Sequence, residues 1–407
     1  MISWPRSITL LLGRPSQKGL ADSADLRDPK TILVVRFNDS IRESSRSFGI
    51  GDLVLLSPFF RILREQYPKA LISLVIDSQF ADFYEHCPYV DEIVPYTYSS
   101  FYSFLQKVLL FRKRKPDLLF FPKFGMTRWY ESVFCYLVRP RQSVAYSEHV
   151  QLLKEKQQRD YDLFFTDTLN DRAVIHEALR SPKLVYYALG ELDRFPHSVA
   201  PLEVWPGNED AAKAEKLLSS IEDSKIRIVL GLSARAKKRC WPISFWKEFI
   251  SLSRERFPDI RYVVTGGSEI KEDAKVLAIT FPDLVFDIAG ATSCCESYEI
   301  MRRCDVYVGS DSGPMHMAAA AGLPCVMISC HPLSAPKDHS NAPERFGPYG
   351  VVSKILQPKH PLLDSCAGGC TATEPHCITQ ISPKMAVDAL AELIAQGALS
   401  TEREKNQ

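Results

Sequence analysis

The sequence predicts an α/β chain made of two Rossmann-like domains facing across a cleft. Three observations carry this. Short β-branched runs alternate with longer helical stretches, the signature of parallel sheets with helical crossovers. The alternation halts between Arg194 and Asn208, where Pro196, Pro201, Pro206 and Gly207 cluster, and then restarts. Finally, 407 residues exceed what one ordinary core organises.

Element by element, Thr31–Phe37 reads as a buried strand, apolar from Ile32 to Phe37 except for Arg36. Residues 38–49 are polar and serine-rich, hence a loop. Asp52 to Gln66 reads as one helix with Leu53, Leu56, Phe59, Phe60 and Leu63 on its apolar stripe, kinked by Pro58. Strands follow at Leu71–Ile76, Glu92–Val94, Asp117–Phe121 and Ser143–Tyr146, with helices near 99–113, 128–138 and 169–190. After the proline-rich stretch, strands are expected at Arg227–Leu232, Arg261–Thr265, Leu284–Ile288, Asp305–Gly309 and Cys325–Ser329. Helices fit near 208–219, 244–256, 270–280, 295–303, 313–321 and 383–396. The chain thus divides into a leader over 1–29, a first domain over 30–195, a linker over 196–208, a second domain over 209–397 and a polar tail over 398–407.

Composition narrows the function. With 50 basic against 49 acidic residues, bulk charge offers no argument for nucleic acid as a partner. No apolar run is long enough to span a bilayer, and the stretch Ile8 to Leu12 is too short for a signal peptide core. The 11 cysteines are odd in number, and several, such as Cys135 and Cys325, sit in apolar runs, which fits a reducing compartment. Cys366, Cys370, His376 and Cys377 have a spacing that departs from common structural zinc sites, so a local packing knot or an adventitious metal site is the expectation and no metal is assigned. Asp160 and Asp162 read as loop or strand edge. Basic Lys107 and Arg112–Lys115 beside Phe101, Tyr102, Phe104 and Phe111 suit an anionic membrane surface or an acidic acceptor, and equally a helix end carrying dipole-favoured cations.

Four segments carry candidate chemistry. In Asp305–Pro324 a strand ends in the turn Ser310–Pro314 and an alanine-rich helix follows. Its first N–H groups and dipole make an anion site, Gly313 admits a phosphate to the backbone, and Pro314 suits the first turn. The same residues would serve an ordinary N-cap, with Asp311 or Ser312 capping and His316 packed. In Gly49-Ile50-Gly51-Asp52, Asp52 stands at a helix start, as a capping residue or as a base held ionised by the dipole. Ser233–Pro242 contains Arg235, Lys237, Lys238 and Arg239 after a strand: a solvated basic loop, or cations that neutralise a leaving diphosphate. Glu269, behind Gly266 and Gly267, is either part of a simple turn or an acceptor for ribose hydroxyls.

Taken in order, these segments resemble glycosyltransferase family nine, the bacterial heptosyltransferase family of lipopolysaccharide assembly. The resemblance covers about residues 31–392. Its parts are Gly51–Pro58 with Leu63 and Tyr67-Pro68, then Trp241-Pro242 with Phe245-Trp246, then Ser310–Ala320, the most specific piece, and the tail Cys366, Cys370, Cys377-Ile378 and Ile381–Pro383. The resemblance implies a GT-B fold, with an acceptor-side first domain and a nucleotide-sugar-binding second domain. It implies inverting, metal-independent transfer of a heptose or similar sugar from an ADP-sugar donor to a lipopolysaccharide-core or other glycan acceptor, with no cofactor. The catalytic base falls on Asp52. Donor contacts fall on Asp311, Ser312, Gly313, His316 and Glu269. The family's phosphate-binding lysine, two residues before the Trp, is Arg239 here, with Lys238 adjacent. Departures are that arginine, Ser312 in place of a frequent threonine, and the insertion 38–49. The implied setting is cytoplasmic, with peripheral contact at the inner membrane surface, and the implied partners are the donor and a glycolipid or glycan. Transfer of another nucleotide sugar, a GT-B nucleotide-sugar epimerase and a noncatalytic nucleotide-sugar-binding protein are the alternatives.

Overall fold

The computed structural model describes residues 28–37, 49–219, 221, 226–363, 366 and 370–397. The leader before residue 28, the insertion 38–48 and the tail 398–407 lie outside the described residues. The chain divides into two compact units: Met1–Phe48, Pro58–Ala173 and Ala178–Val199 form the first, and Gly49–Ser57, Val174–Glu177 and Ala200–Gln407 the second. Asp52, which sequence reading puts in the first domain, therefore belongs by its contacts to the second unit.

The first unit holds a six-stranded sheet of β1 (Thr31–Arg36), β2 (Leu71–Ile76), β3 (Glu92–Pro95), β4 (Leu118–Phe121), β5 (Gln142–Tyr146) and β6 (Asp167–Leu169), in the order β3-β2-β1-β4-β5-β6. Every pairing is parallel. The second unit repeats the winding with β7 (Ile226–Gly231), β8 (Ile260–Val264), β9 (Val285–Asp287), β10 (Val306–Ser310), β11 (Cys325–Ile328) and β12 (Ser353–Leu356), in the order β12-β11-β10-β7-β8-β9. Strand order reverses between β1 and β4 and between β7 and β10. Open α/β sheets bind ligands beyond the carboxyl ends of the strands at such switch points. The central strands are closed to water on both faces, as Val34, Val35, Val229, Leu230 and Val308 show at 0% exposure.

The expected helix over Asp52–Gln66 is two helices, α1 (Ile50–Leu55) and α2 (Ser57–Gln66). The cause is Pro58, which has no N–H to donate to the Val54 carbonyl. The Ser57 hydroxyl supplies that bond instead, at 2.7 Å, and itself accepts the Glu203 N–H at 2.8 Å. The remaining helices of the first unit are α3 (Phe101–Arg114), α4 (Trp129–Val138), α5 (Leu152–Gln157) and α6 (Glu177–Leu189), the last beginning eight residues later than 169, after the end of β6 at Leu169 and a loop over 170–176. The short edge strands β6 and β12 and helix α5 escape sequence reading: β6 is three residues long, and β12 is half-buried at a sheet edge without an apolar run.

On α3, Phe104, Val108 and Phe111 are buried while Phe101, Tyr102 and Leu109 are 65%, 70% and 53% exposed. Asp162 is an internal acceptor, taking the Ser147 hydroxyl at 2.6 Å and the Glu148 N–H at 2.7 Å, so the Asp160–Asp162 stretch is a hydrogen-bonded turn. Among the described residues no helix is long and apolar enough to cross a membrane.

Candidate active site

In the second unit, the loops after β7 and β10 leave the sheet side by side at its switch point. Gly231 and Gly309 are register partners there, and a Cβ on Gly231 would fall 1.8 Å from the Tyr307 hydroxyl, so the paired glycines make room for that ring. Beyond β10, Asp311 and Ser312 lead into α11 (Gly313–Ala320), with Pro314 in its first turn; α7 (Asn208–Leu218), α8 (Ile243–Arg256), α9 (Lys271–Thr280) and α10 (Cys294–Met301) precede it. Ser312 is the N-cap residue by position, but its hydroxyl donates backwards to the Ser310 carbonyl at 3.3 Å and makes no cap bond. The leading N–H groups of α11 are therefore not capped by this side chain.

Helix α1 packs its start against the start of α11. A Cβ on Gly313 would lie 2.0 Å from Ile50 Cγ2, and one on Gly51 would lie 2.8 Å from His316 Cδ2 and 3.2 Å from Gly313 Cα. Glycine at 313 is thus demanded by the approach of α1, a reason sequence reading did not find. The contact brings Asp52 to this site. Its Oδ2 accepts the Gly49 N–H at 2.9 Å, the reciprocal half of a capping box, and it is half-buried. Both readings of Asp52 are compatible in space: one oxygen caps, and Oδ1 has no hydrogen bond among the described residues. Arg235, from the basic loop, reaches the same corner, since a Cβ on Gly49 would sit 2.8 Å from its Nη2.

Arg239 and Asp311 form a buried ion pair. Arg239 Nη2 donates to Asp311 Oδ2 at 2.6 Å and to the Asp311 carbonyl at 2.7 Å, with the two side chains 19% and 7% exposed. Burial pushes the Asp311 carboxyl above its ordinary range, against the pull of Arg239, and the Asp52 carboxylate adds to the push. Burial is the largest influence on Arg239 and opposes its charge, but Asp311 together with the neighbouring Cys330 and Cys240 outweighs it, and the guanidinium is raised. The two lysines before Arg239 behave differently. Lys238 Nζ donates to the Cys370 carbonyl, and Lys237 pairs with Glu374 at 2.8 Å. Glu269 is exposed in the turn after β8, with its carboxylate folded back on Gly267 and no contact to the group around Asp311 among those described.

Three buried polar atoms here have no hydrogen-bond partner among the described residues: Ser310 Oγ, Arg239 Nε and His316 Nδ1. An unsatisfied buried polar atom costs roughly 1–3 kcal/mol. Burial, assisted by the electrostatic influence of His176 and Arg239, holds the His316 imidazole down at about 3, so it is neutral. His176 itself comes from the short segment Val174–Glu177, bonds the Gly347 carbonyl at 2.9 Å and lies 4.8 Å from the Tyr349 ring. Next to it, Glu177 pairs with Arg345 at 2.6 Å. No sequence signal marked His176, because a histidine at the head of a helix has no periodicity or motif of its own.

The His316 shift has a consequence for stability. Its folded pKa lies below the unfolded value of about 6.5, so the unfolded chain takes the proton first as pH falls. The stabilisation is complete above about pH 6.5 and is lost progressively toward about pH 3. Asp311, raised in the fold, acts in the opposite sense. Urea unfolding followed by fluorescence at pH 7.5 and pH 5 should show a stability loss that is smaller in His316→Gln than in the native chain by about 2 kcal/mol. Equal losses would show that His316 is not the titrating group.

Residues 194–331 match glycosyltransferase family 9 (heptosyltransferase). A search of curated proteins finds no match. Among solved structures, a glycosyltransferase family 9 protein from Veillonella parvula DSM 2008 is 19% identical with a TM-score of 0.70, over 90% of this chain and 98% of that one. The E. coli ADP-heptose lipopolysaccharide heptosyltransferase II is 16% identical with a TM-score of 0.66, over 90% and 99%. An E. coli heptosyltransferase solved with ADP is 17% identical with a TM-score of 0.59, over 90% and 99%. At these identities the likeness is one of fold, and it bears out the GT-B architecture of two Rossmann-like units. The chain thus matches glycosyltransferase family 9 over residues 194–331 and shares the fold of these structures along most of its length.

Proposed function

We propose that this chain transfers a heptose or similar sugar from an ADP-linked donor to a lipopolysaccharide-core or other glycan acceptor, with inversion. The observation that carries the proposal is the convergence of Asp52, the Arg239–Asp311 pair and the start of α11, with three buried polar atoms around them that lack partners among the described residues. A neutral, wholly apolar site would need none of these. The family match over residues 194–331 supports the reaction class, and an ADP-bound heptosyltransferase of the same fold points to the nucleotide.

In this reading, Asp52 takes the proton of an acceptor hydroxyl. The oxygen bonds to the anomeric carbon as the bond from that carbon to the diphosphate oxygen breaks, and ADP departs with the electron pair. Arg239 and the N–H groups at the start of α11 stabilise the charge gathering on the diphosphate. Asp311 holds Arg239 in place. Ser312 and His316 line the same turn. Glu269 would meet the ribose if the turn after β8 presents its carboxylate to the nucleoside. Lys238, turned to Cys370, is a second cation within the same loop. No metal enters these steps.

Calorimetry with ADP, UDP and GDP, followed by NMR of the anomeric configuration in the product, tests the proposal. The expected result is preference for ADP and an inverted linkage when the acceptor glycolipid is presented in anionic vesicles, where the exposed apolar face and basic end of α3 would lie. Failure to bind any nucleoside diphosphate, or a retained configuration, would overturn it.

A further inference from the structure

The cysteine-rich tail, read from sequence as a packing knot or an adventitious metal site, gathers three donor atoms in space. The sulfurs of Cys366 and Cys370 are 3.7 Å apart, and His376 Nε2 is 3.0 Å from the first and 3.4 Å from the second. Among the described residues this is the group of three potential metal ligands whose donor atoms gather within 4.8 Å. Two sulfurs bound at about 2.3 Å to one tetrahedral zinc lie about 3.8 Å apart, and a nitrogen bound at about 2.0 Å lies about 3.5 Å from each. The triangle fits one face of that tetrahedron, slightly compressed.

The imidazole is also oriented for the task. His376 Nδ1 is 2.9 Å from the Glu374 carbonyl, which places the ring proton on Nδ1 and turns the Nε2 lone pair toward the sulfurs. A sulfur separation of 3.7 Å is far beyond the roughly 2.05 Å of a disulfide. Cys377 is occupied elsewhere, accepting the Leu362 N–H at 3.4 Å. Two thiolates and an imidazole select a borderline-soft ion such as zinc over magnesium or calcium, which need oxygen ligands.

We infer that Cys366, Cys370 and His376 bind one zinc-class divalent ion, with the fourth position filled from solvent, and that this ion clamps the basic loop of the candidate active site. The coupling runs through the ligand segment itself. The Cys370 carbonyl receives Lys238, and Glu374, whose carbonyl orients His376, pairs with Lys237. The next residue, Arg239, holds Asp311. The ion is a positioning element, and no bond of the transfer reaction is made on it. Metal binding stands apart from the transfer reading, because it is read from the metal alone.

The full chain, purified under reducing conditions and stripped with chelator, is titrated with Co²⁺ and then with Zn²⁺. One equivalent should produce a thiolate-to-cobalt charge-transfer band that zinc abolishes. Cys370→Ser and His376→Ala should each weaken zinc binding by more than the roughly 10–100-fold typical of a lost outer-shell partner, while Cys377→Ser should keep the full equivalent. Hydrogen exchange at residues 237–239 should slow when zinc is added. A folded, reduced chain with no cobalt band, or unchanged binding in the Cys370→Ser/His376→Ala double variant, would overturn the site. Loss of metal in Cys377→Ser would overturn the three-ligand assignment, and unchanged exchange at 237–239 would overturn the clamp. If the ligand variants do not fold, the cobalt titration of the native chain decides: a band at one equivalent supports the site, and its absence overturns it.

Discussion

Asp52→Asn should fold and bind ADP like the native chain while turnover falls about 10²–10⁴-fold, the usual range for a lost general base. The substitution separates the two roles that Asp52 has in the structure. As a cap, it accepts the Gly49 N–H through Oδ2, and an asparagine carbonyl oxygen can accept the same bond. As a base, it needs a proton affinity that an amide lacks. A purely capping Asp52 therefore predicts little change in Asp52→Asn and a loss of about 0.5–2 kcal/mol in Asp52→Ala. The neighbouring charge adds a second readout. Asp52 helps to push the Asp311 carboxyl up, so neutralising it should strengthen the Arg239–Asp311 pair and leave thermal stability equal or slightly higher. Measured turnover within a few-fold of native in a folded Asp52→Asn chain would remove Asp52 as the base and leave it the cap.

The sequence made the two parallel sheets legible because buried strands are continuous apolar runs bounded by glycine, proline and polar turns, and β1, β7 and β10 fit that pattern to within a residue or so. It also marked Asp52, Arg239, Asp311 and Gly313, because each follows a strand and begins or precedes a helix. What it could not supply was the partner of each. The Arg239–Asp311 pair joins residues 72 positions apart through the β7–β10 pairing. The need for glycine at 313 arises from Ile50, in another segment altogether. Lys238 read as an alternative phosphate cation, yet Cys370 claims it. The edge strands β6 and β12 do not announce themselves, β6 because it is three residues long and β12 because a half-buried edge needs no apolar run. The gathering of the cysteine tail was not legible for another reason: spacing along a chain that turns back on itself says little about distance, and His376 reaches both thiols with its ring held at the Glu374 carbonyl.

Arg239→Ala should reduce turnover about 10²–10³-fold, the range measured when a single preorganised donor to a developing anion is removed, and should also destabilise the second unit. The stability effect follows from burial. Asp311 is 6% exposed, and the loss of Arg239 leaves its carboxylate without a counter-charge; breaking a buried pair from one side costs about 3–5 kcal/mol. Part of that cost is avoided if Asp311 takes up a proton, which its raised pKa already favours. The two effects are separable. Asp311→Asn in the Arg239→Ala background removes the stranded charge and should recover stability, but it cannot restore a cation and should not recover turnover. Arg239→Lys keeps the charge and should recover both in part, short of native because one ammonium cannot reproduce the planar fork. Lys238→Ala alone should cost little turnover, since its ammonium is committed to the Cys370 carbonyl, and the double variant with Arg239→Ala should be no worse than Arg239→Ala. A much larger loss in the double variant would mean that Lys238 leaves Cys370 to reach the diphosphate. Native turnover in a folded Arg239→Ala chain, with stability recovered by Asp311→Asn, would assign the pair a structural role alone and take leaving-group stabilisation away from this loop.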